Sequence, residues 1–382
     1  MKPNPDTTIK LYIGLDVHKE QTSVAVAEPG SNGEIRSYGS VATSQTALEK
    51  LLRRLAKAHK IKTTEMHVCY EAGGCGMWIA RRMAQLKVRC TVVAPSLIPS
   101  KAGDQVKTDK KDAIKLARLL RAGELVEVHV PDETDEAIRD LCRARVDACD
   151  DLRRAKTRLL AMLRRLGFNY MEKSYWTDAH KRFLHELKLP FPSHRIILEE
   201  LIGQIEQLEE RISRLEIHME LLNAEWTHKP IVGAVMALKG FQLIAAMMVV
   251  SEVGDFVRFT HPKQLMGYLG LTPGEYSSAG KQRQNGITKC GNAHLRWILV
   301  ECATHYRNTP KVSALLTIRQ QDQPRWVKEI SWKAQNRLYA RFTKLRQRLM
   351  HHNKIKVAIA RELTGVIWEI GFKMQSAQPK PA

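Results

Sequence analysis

Hydrophobic and polar positions in residues 8–125 predict strands and helices in turn. An apolar run predicts a strand at residues 11–16, which ends in an acid. Alternation predicts two more strands, at residues 22–28 and 34–41, separated by a Gly-Ser-Asn-Gly turn. Because these strands follow one another through short turns, we expect an antiparallel meander.

After the meander, the pattern alternates between helix and strand. Leucines at three- and four-residue spacing predict a helix at residues 43–59, which Thr43 or Ser44 can cap. The remaining predicted elements are a strand at 66–70, a helix at 77–86, a strand at 88–94 and a helix at Asp109–Ala122. This order is that of an α/β, ribonuclease-H-like sheet, which we predict for residues 1–130.

Residues 131–228 lack strand signals and contain two long amphipathic helical patterns, at residues 135–166 and 198–222. In the second pattern, isoleucine, leucine and methionine recur at three- and four-residue steps, which is a coiled-coil-like spacing. A seam of this kind fits an intramolecular helical hairpin as well as a dimerisation arm.

Residues 229–375 form a third, mainly α block. A segment dense in turn formers, residues 271–281, follows a short helical pattern and predicts a loop. Residues 331–361 carry nine Lys and Arg but no Asp or Glu, and predict one basic C-terminal helix. The polar residues 376–382 are expected to form a disordered tail.

Composition narrows the choice of partner and compartment. The net charge of +21 and a pI near 9.7 attract polyanions, and nucleic acid is the leading one. The longest apolar run, residues 243–250, is far too short to span a bilayer, so no membrane association is expected. The N-terminus lacks an export signal, and the seven cysteines show no zinc spacing. We therefore expect a cytoplasmic protein with reduced thiols.

Four acids suggest a metal site. Asp109 and Asp112 are three residues apart and share one face of the predicted helix. Asp16 ends the first strand and Glu71 ends the fourth, and in the meander topology these strands would be neighbours. Four carboxylates suit Mg²⁺ or Mn²⁺, and two such ions can clamp the oxygens of a phosphodiester. The alternative is that the paired aspartates only complement the helix dipole.

Basic residues predict a nucleic-acid path in three places. They are Arg153 and Arg154 in the first middle helix, Lys281, Arg283, Lys289 and Arg296 around the turn-rich segment, and Arg337 and Arg341 in the C-terminal helix. Trp326, Trp332 and Tyr339 accompany the last pair, and such rings can stack on unpaired RNA bases. The alternative is that the basic runs are solvated faces and the rings are core anchors.

Residues 12–19, 70–74 and 107–113 together resemble the RuvC-like domain of the DEDD transposases, insertion-sequence recombinases that use a structured bridge RNA. Residues 259–273, 276–278, 287–292 and 295–296 look like the second, transposase domain of that family. The resemblance covers most of the chain in the family's order, whereas the helical middle matches in character only.

The resemblance implies that Asp16, Glu71, Asp109 and Asp112 bind Mg²⁺, and that Ser278 forms a transient covalent bond to DNA. In the family, glycine usually follows this serine directly, but here Ala279 does, so Ser277 is the alternative. Counting from Pro273 and Tyr276 favours Ser278. The resemblance further implies a guide RNA, a homo-oligomer between dimer and tetramer, and a prokaryotic cytoplasmic protein associated with the nucleoid.

Three other functions are alternatives to a recombinase, and each makes a different demand on the residues. A RuvC-like metal-dependent nuclease would hydrolyse DNA junctions with water instead of a serine. An actin-like ATPase or sugar kinase needs a glycine-rich phosphate loop, but no glycine follows Asp16 until Gly30. A non-catalytic scaffold would tolerate loss of Asp109 and Asp112.

Overall fold

The computed structural model describes residues 9–99, 108–172, 174–278 and 281–377, and the side chains of residues 276–278 and 281–284 lie outside that description. The chain forms two compact units, Met1–Val130 and Pro131–Ala382. Among the described residues, no helix is both long and apolar enough to cross a membrane.

The first unit is built on a mixed five-stranded sheet. Its elements are β1 (Leu11–Val17), β2 (Gln21–Ala27), β3 (Ile35–Ala42), α1 (Gln45–His59), β4 (Met66–Glu71), α2 (Trp78–Gln85), β5 (Arg89–Val93) and α3 (Asp109–Ala122). The strand order is β3-β2-β1-β4-β5, with β1 antiparallel to β2 and parallel to β4. The predicted meander and the predicted proximity of the first and fourth strands are therefore confirmed, in an order consistent with a ribonuclease-H-like sheet.

Apolar side chains cover both faces of this sheet. On one face, Leu11, Ile13 and Leu15 of β1 pack with leucines of α1 and with Ile79 and Met83 of α2. On the other face, Tyr12 of β1 and Cys69 of β4 share a cluster with α3. Since successive residues of a strand point to opposite faces, Asp16 and Glu71 belong to the face that α3 covers.

The second unit is mainly helical. Its elements are α4 (Glu133–Arg165), α5 (Asp178–Glu186), α6 (Pro192–Glu225), α7 (Lys229–Met236), α8 (Leu243–Val253), α9 (Pro262–Tyr268), β6 (Pro273–Ser278), β7 (Lys281–Ile287), α10 (Ala293–Ala303), α11 (Ala314–Gln320), α12 (Arg325–Gln347) and α13 (His352–Ser376). The strands β6 and β7 pair antiparallel, so the segment predicted as a loop is a β-hairpin. Most of the predicted tail, residues 378–382, lies outside the described residues.

The two long middle helices, α4 and α6, pack along each other within the chain. Leu159 and Leu163 of α4 share a core cluster with Leu198 and Ile205 of α6. An ion pair between Lys156 and Glu209, 2.7 Å apart, joins the helices at the edge of this cluster. The helical hairpin is therefore present, while a dimerisation arm stays a prediction.

The prediction of one basic helix over residues 331–361 is wrong. The chain reverses between α12 and α13, at Leu349, whose φ is +54°. The reversal lets buried residues of α12 such as Phe342 join the same core as Ile355 and Ile359 of α13. His351 then begins the second helix, since its Nδ1 accepts a hydrogen bond from the backbone N–H of Asn353 at 3.3 Å. Burial of both helices' apolar faces outweighs the cost of one residue with positive φ.

Candidate functional site: an acidic centre and a serine hairpin

Helix α3 reaches the site because β1 has a glycine where the two elements meet. A Cβ atom at Gly14 would lie 2.3 Å from the backbone oxygen of Ala113 and 2.5 Å from the backbone nitrogen of Ala117. No side chain fits at these distances, so helix backbone lies directly on strand backbone. Gly14 is two residues before Asp16, and this contact fixes the N-terminal end of α3 near that aspartate.

The start of α3 is set by a threonine cap. The Oγ1 atom of Thr108 accepts a hydrogen bond from the backbone N–H of Lys111 at 3.4 Å. The cap places Asp109 at the first helical position and Asp112 in the first turn, as the sequence predicted. The positive end of the helix dipole stabilises carboxylates there.

Asp16 and Glu71 are the strand-end acids of the site. The parallel pairing of β1 and β4 ends with Leu15 opposite Tyr70, so Asp16 and Glu71 are the next residue on each strand. Both therefore lie at the same edge of the sheet, on the face that α3 covers. The predicted convergence of the two strand ends is present in the structure.

Asp16, Glu71, Asp109 and Asp112 are together called the acidic centre, and a histidine contacts two of these acids. The Nε2 atom of His18 lies 3.2 Å from Oδ2 of Asp16 and 3.6 Å from Oδ1 of Asp109. Among the described residues, one group of at least three could hold a metal ion, with ligand atoms within 4.8 Å of one another, and it comprises Asp16, His18 and Asp109. Glu71 and Asp112 are outside this compact group, although Asp112 is near enough to act on Asp16 electrostatically.

The surroundings of Asp16 shift the pKa of its carboxyl group. Burial raises the pKa of Asp16, while the charge of His18 and its hydrogen bond lower it, and the nearby Asp112 and Asp109 raise it. The net effect is a pKa above the ordinary value of 3.8. Repulsion among carboxylates of this kind is relieved by a cation, so the donor set fits a divalent metal ion.

The serine hairpin, β6 with β7, is the second candidate element. Its backbone register pairs Ser277 with Gln282 and Ser278 with Lys281, so both candidate serines lie next to the tip. The side chains of Ser277, Ser278, Lys281 and Arg283 are among those outside the description. The backbone thus presents this segment as an extended hairpin.

The base of the hairpin is clamped by two close backbone contacts. Gly270 has a φ of +62°, and a Cβ there would lie 2.2 Å from the backbone oxygen of Cys290. Gly291 has a φ of +87°, and a Cβ there would lie 2.1 Å from the backbone oxygen of Tyr268. The chain entering the hairpin and the chain leaving it therefore touch through glycines, and only glycine satisfies both the conformation and the space.

A buried carboxylate, Glu252 on α8, holds this base in place. Its oxygens accept hydrogen bonds from Nε and Nη2 of Arg143 at 2.7 and 2.9 Å, and from Nδ2 of Asn292 at 2.5 Å. Asn292 also caps α10, because its Oδ1 accepts from the backbone N–H of Leu295 at 2.9 Å. Sequence reasoning missed Glu252, since an isolated glutamate in an apolar helix gives no motif.

The basic residues predicted to bind nucleic acid differ in their contacts and exposure. Arg296 donates to the backbone oxygen of Leu269 at 2.8 Å, which also braces the hairpin base. The arginines at 153 and 154 pair with neighbouring aspartates of α4, while those at 337 and 341 pair with Glu362. Lys289 is exposed. Exposed ion pairs are worth little, so a phosphate can replace the carboxylate partner.

The three aromatic rings near the C-terminal basic residues differ in exposure. Trp332 is 46% exposed, as a stacking platform requires. Trp326 packs against the core and lies under the ammonium group of Lys373, 5.6 Å from the ring centre, and Tyr339 is partly buried. Of the three, only Trp332 keeps a ring largely available to a base.

Two segments of the chain match families of transposases. Residues 13–168 match the DEDD transposase family of IS110 elements, and residues 233–316 match the transposase IS116/IS110/IS902 family. A putative transposase, y4qE of Sinorhizobium fredii, is 42% identical over 94% of this chain and 88% of its own length. The transposase for insertion sequence element IS1533 of Leptospira borgpetersenii is 30% identical over 88% of this chain and 96% of its own length.

Proposed function

This chain belongs to the IS110/IS116 family of transposases and is a DNA transposase, and we propose that it excises and inserts its own insertion sequence with Asp16, Glu71, Asp109, Asp112 and Ser278. The observation that carries the proposal is the convergence of Asp16 and Asp109 where β1 ends and α3 begins. Members of the DEDD transposase family typically use divalent metal ions, and the acidic centre has the donors for one.

The proposed chemistry is a transesterification. The Oγ atom of Ser278 attacks the scissile phosphorus, the new O–P bond forms as the bond to the 3′ oxygen breaks, and the serine proton leaves to a nearby base. The departing 3′ oxygen takes up a proton and becomes a free hydroxyl. A bound Mg²⁺ or Mn²⁺ would supply charge stabilisation at the phosphate. Because the serine–DNA bond keeps the energy of the phosphodiester, the ends can be rejoined without ATP.

A structured guide RNA is part of the proposal. It rests on the family resemblance, on the charge of +21, and on the exposed ring of Trp332 among basic residues. A guide would supply target choice by base pairing, leaving the protein to bind the phosphate backbones. The discriminating observation is a discrete RNA species that purifies with the protein, and a clean RNA-free preparation with full activity would contradict this part.

A covalent adduct tests the nucleophile. Protein, element-end DNA and co-purified RNA are incubated with Mg²⁺, denatured, and examined for DNA attached to a peptide containing residue 278. We expect the adduct in wild type and in Ser277→Ala, and its loss in Ser278→Ala. Persistence of the adduct in Ser278→Ala would overturn the assignment. DNA cleavage by wild type with no adduct at any residue would favour a hydrolytic RuvC-like nuclease instead.

We propose further that one active site combines an acidic centre and a serine hairpin from different subunits of an oligomer. The acidic centre is in the unit Met1–Val130 and the hairpin is in the unit Pro131–Ala382. Mixing Asp109→Asn protein with Ser278→Ala protein tests the proposal by complementation. Partial recovery of recombination is expected, because mixed oligomers would contain some sites with both intact parts. No recovery in verified mixed oligomers would indicate sites formed within one subunit.

A further inference from the structure

We propose that His18 is a ligand of the metal ion in the acidic centre, so that the site has one imidazole nitrogen beside its carboxylate oxygens. The inference rests on the proposed function, because it concerns the same centre. It adds a residue that the four-acid pattern does not contain, and it changes the metal preference that four oxygens alone would give.

The first argument is distance. Ligand atoms on adjacent corners of an octahedral ion, each about 2.1 Å from the metal, are about 3.0 Å apart. The Nε2 atom of His18 is 3.2 Å from an oxygen of Asp16 and 3.6 Å from an oxygen of Asp109. The two distances from His18 are therefore close to the spacing of one coordination sphere, and the three ligand atoms all lie within 4.8 Å of one another.

The second argument is that the backbone of His18 is held in place. Its N–H donates to the backbone oxygen of Gln21 at 3.0 Å, within the turn that joins β1 to β2. Its carbonyl oxygen accepts a hydrogen bond from Oγ1 of Thr43 at 2.8 Å. Both polar backbone atoms are thus fixed, so the imidazole extends from an ordered turn toward the two carboxylates. Preorganised ligands of this kind lose little entropy on binding an ion.

The third argument separates a ligand from a phosphate contact. A histidine that served only a phosphate would have no need to bring its ring tip between two carboxylates. Here the ring tip is the atom that lies between Asp16 and Asp109. In the metal-bound state a neutral imidazole would present the lone pair of Nε2 at this position, with the proton on Nδ1.

The chemical consequence is a change in metal selectivity. Carboxylates alone suit Mg²⁺, whereas an imidazole nitrogen favours transition metals over Mg²⁺. We therefore expect the centre to prefer Mn²⁺ over Mg²⁺ more strongly than an all-oxygen site. Replacing His18 should weaken Mn²⁺ binding on the order of tenfold and Mg²⁺ binding less.

The test uses full-length protein and Mn²⁺ alone, without DNA. Pulsed electron paramagnetic resonance detects ¹⁴N nuclei that are bonded directly to Mn²⁺, and titration of free Mn²⁺ gives the affinity. We expect ¹⁴N coupling in wild type and its loss in His18→Ala and in His18→Gln, which keeps a polar side chain. His59→Ala is the matched control, because His59 contacts Tyr38 in the same unit, and should keep the coupling. Thermal melting checks that each variant is folded.

Two results would overturn the inference, and they differ in what they mean for the proposed function. If Mn²⁺ binds and Asp16→Asn or Asp109→Asn abolishes binding, but wild type shows no ¹⁴N coupling, His18 is not a ligand and the acidic site stands. If folded wild type binds no Mn²⁺ at all, both the inference and the metal centre of the proposed function fail.

Discussion

The buried network at the base of the serine hairpin predicts a large loss of stability in Glu252→Gln. The side chain of Glu252 is 3% exposed and holds both the guanidinium of Arg143 and the amide of Asn292. Glutamine has one acceptor oxygen, and its own NH₂ group would face a donor of one of these partners. The substitution therefore removes charge-assisted hydrogen bonds and leaves a cation without its counter-ion.

The magnitude follows from the burial of the pair. Removing one partner of a buried ion pair costs about 3–5 kcal/mol. The side chain of Arg143 is 40% exposed, so water can solvate part of the unpaired charge. We therefore expect a loss of about 3 kcal/mol in the free energy of unfolding of this unit, at the lower end of that range.

Urea denaturation followed by tryptophan fluorescence measures this loss, since every tryptophan except Trp78 is in Pro131–Ala382. Glu301→Gln is the matched control, because it makes the same chemical change at an exposed glutamate of α10. The control should stay within about 0.5 kcal/mol of wild type. A Glu252→Gln protein that is as stable as the control would refute the reasoning.

The pH dependence provides a second check on the same residue. Burial alone would raise the pKa of Glu252, but the hydrogen bonds and charge of Arg143, with Asn292, lower it below 4.5. A carboxyl whose folded pKa is depressed contributes stability above its unfolded pKa, and this contribution is lost as pH falls through the folded value. The stability difference between wild type and Glu252→Gln should therefore be full near neutral pH and narrow below pH 4.5.

Two further predictions concern the acidic centre and the DNA path. Gly14→Ala places a methyl group against the backbone of α3, so it should cost about 3 kcal/mol and weaken Mn²⁺ binding, measured by denaturation and titration. Gly203→Ala, whose Cβ would meet nothing within 4 Å in the middle of α6, should instead be neutral or stabilising. For the path, the nonspecific DNA affinity should fall about 10³-fold between 50 and 200 mM salt if six phosphates are contacted, and a flat response in a filter-binding titration would exclude a broad phosphate footprint.

The strands and the helix that carry the acidic centre could be predicted from the sequence, because a local sequence pattern determines each of them. Alternation and turn residues defined the meander, and the meander made β1 and β4 neighbours, which brought the ends at Asp16 and Glu71 together. Thr108 and the two acids marked the start of α3 at the residue where the structure begins it. Local propensity and global fold agree in this region.

The rest depended on contacts between distant residues. Gly14 is needed because α3 packs directly on β1, and the sequence near Gly14 does not show that contact. His18 is in a turn, where its side chain could equally have faced solvent instead of Asp16. The hairpin looked like a loop because glycine and proline hide the strand pattern, and its pairing needs the residues of β7 as partners. The break at Leu349 has no glycine or proline nearby, and packing of α12 against α13 decides it.

The most direct test of the central claim compares two aspartates with the same local setting in an excision assay. Asp109 follows the threonine cap of α3, and Asp178 follows the threonine cap of α5 and is likewise exposed. If Asp109 serves chemistry, Asp109→Asn lowers excision on the order of 10²-fold or more while DNA binding is retained, and Asp178→Asn leaves excision near the wild-type rate. Equal, small effects of the two substitutions would mean that Asp109 only complements a helix dipole, and the proposed acidic centre would be contradicted.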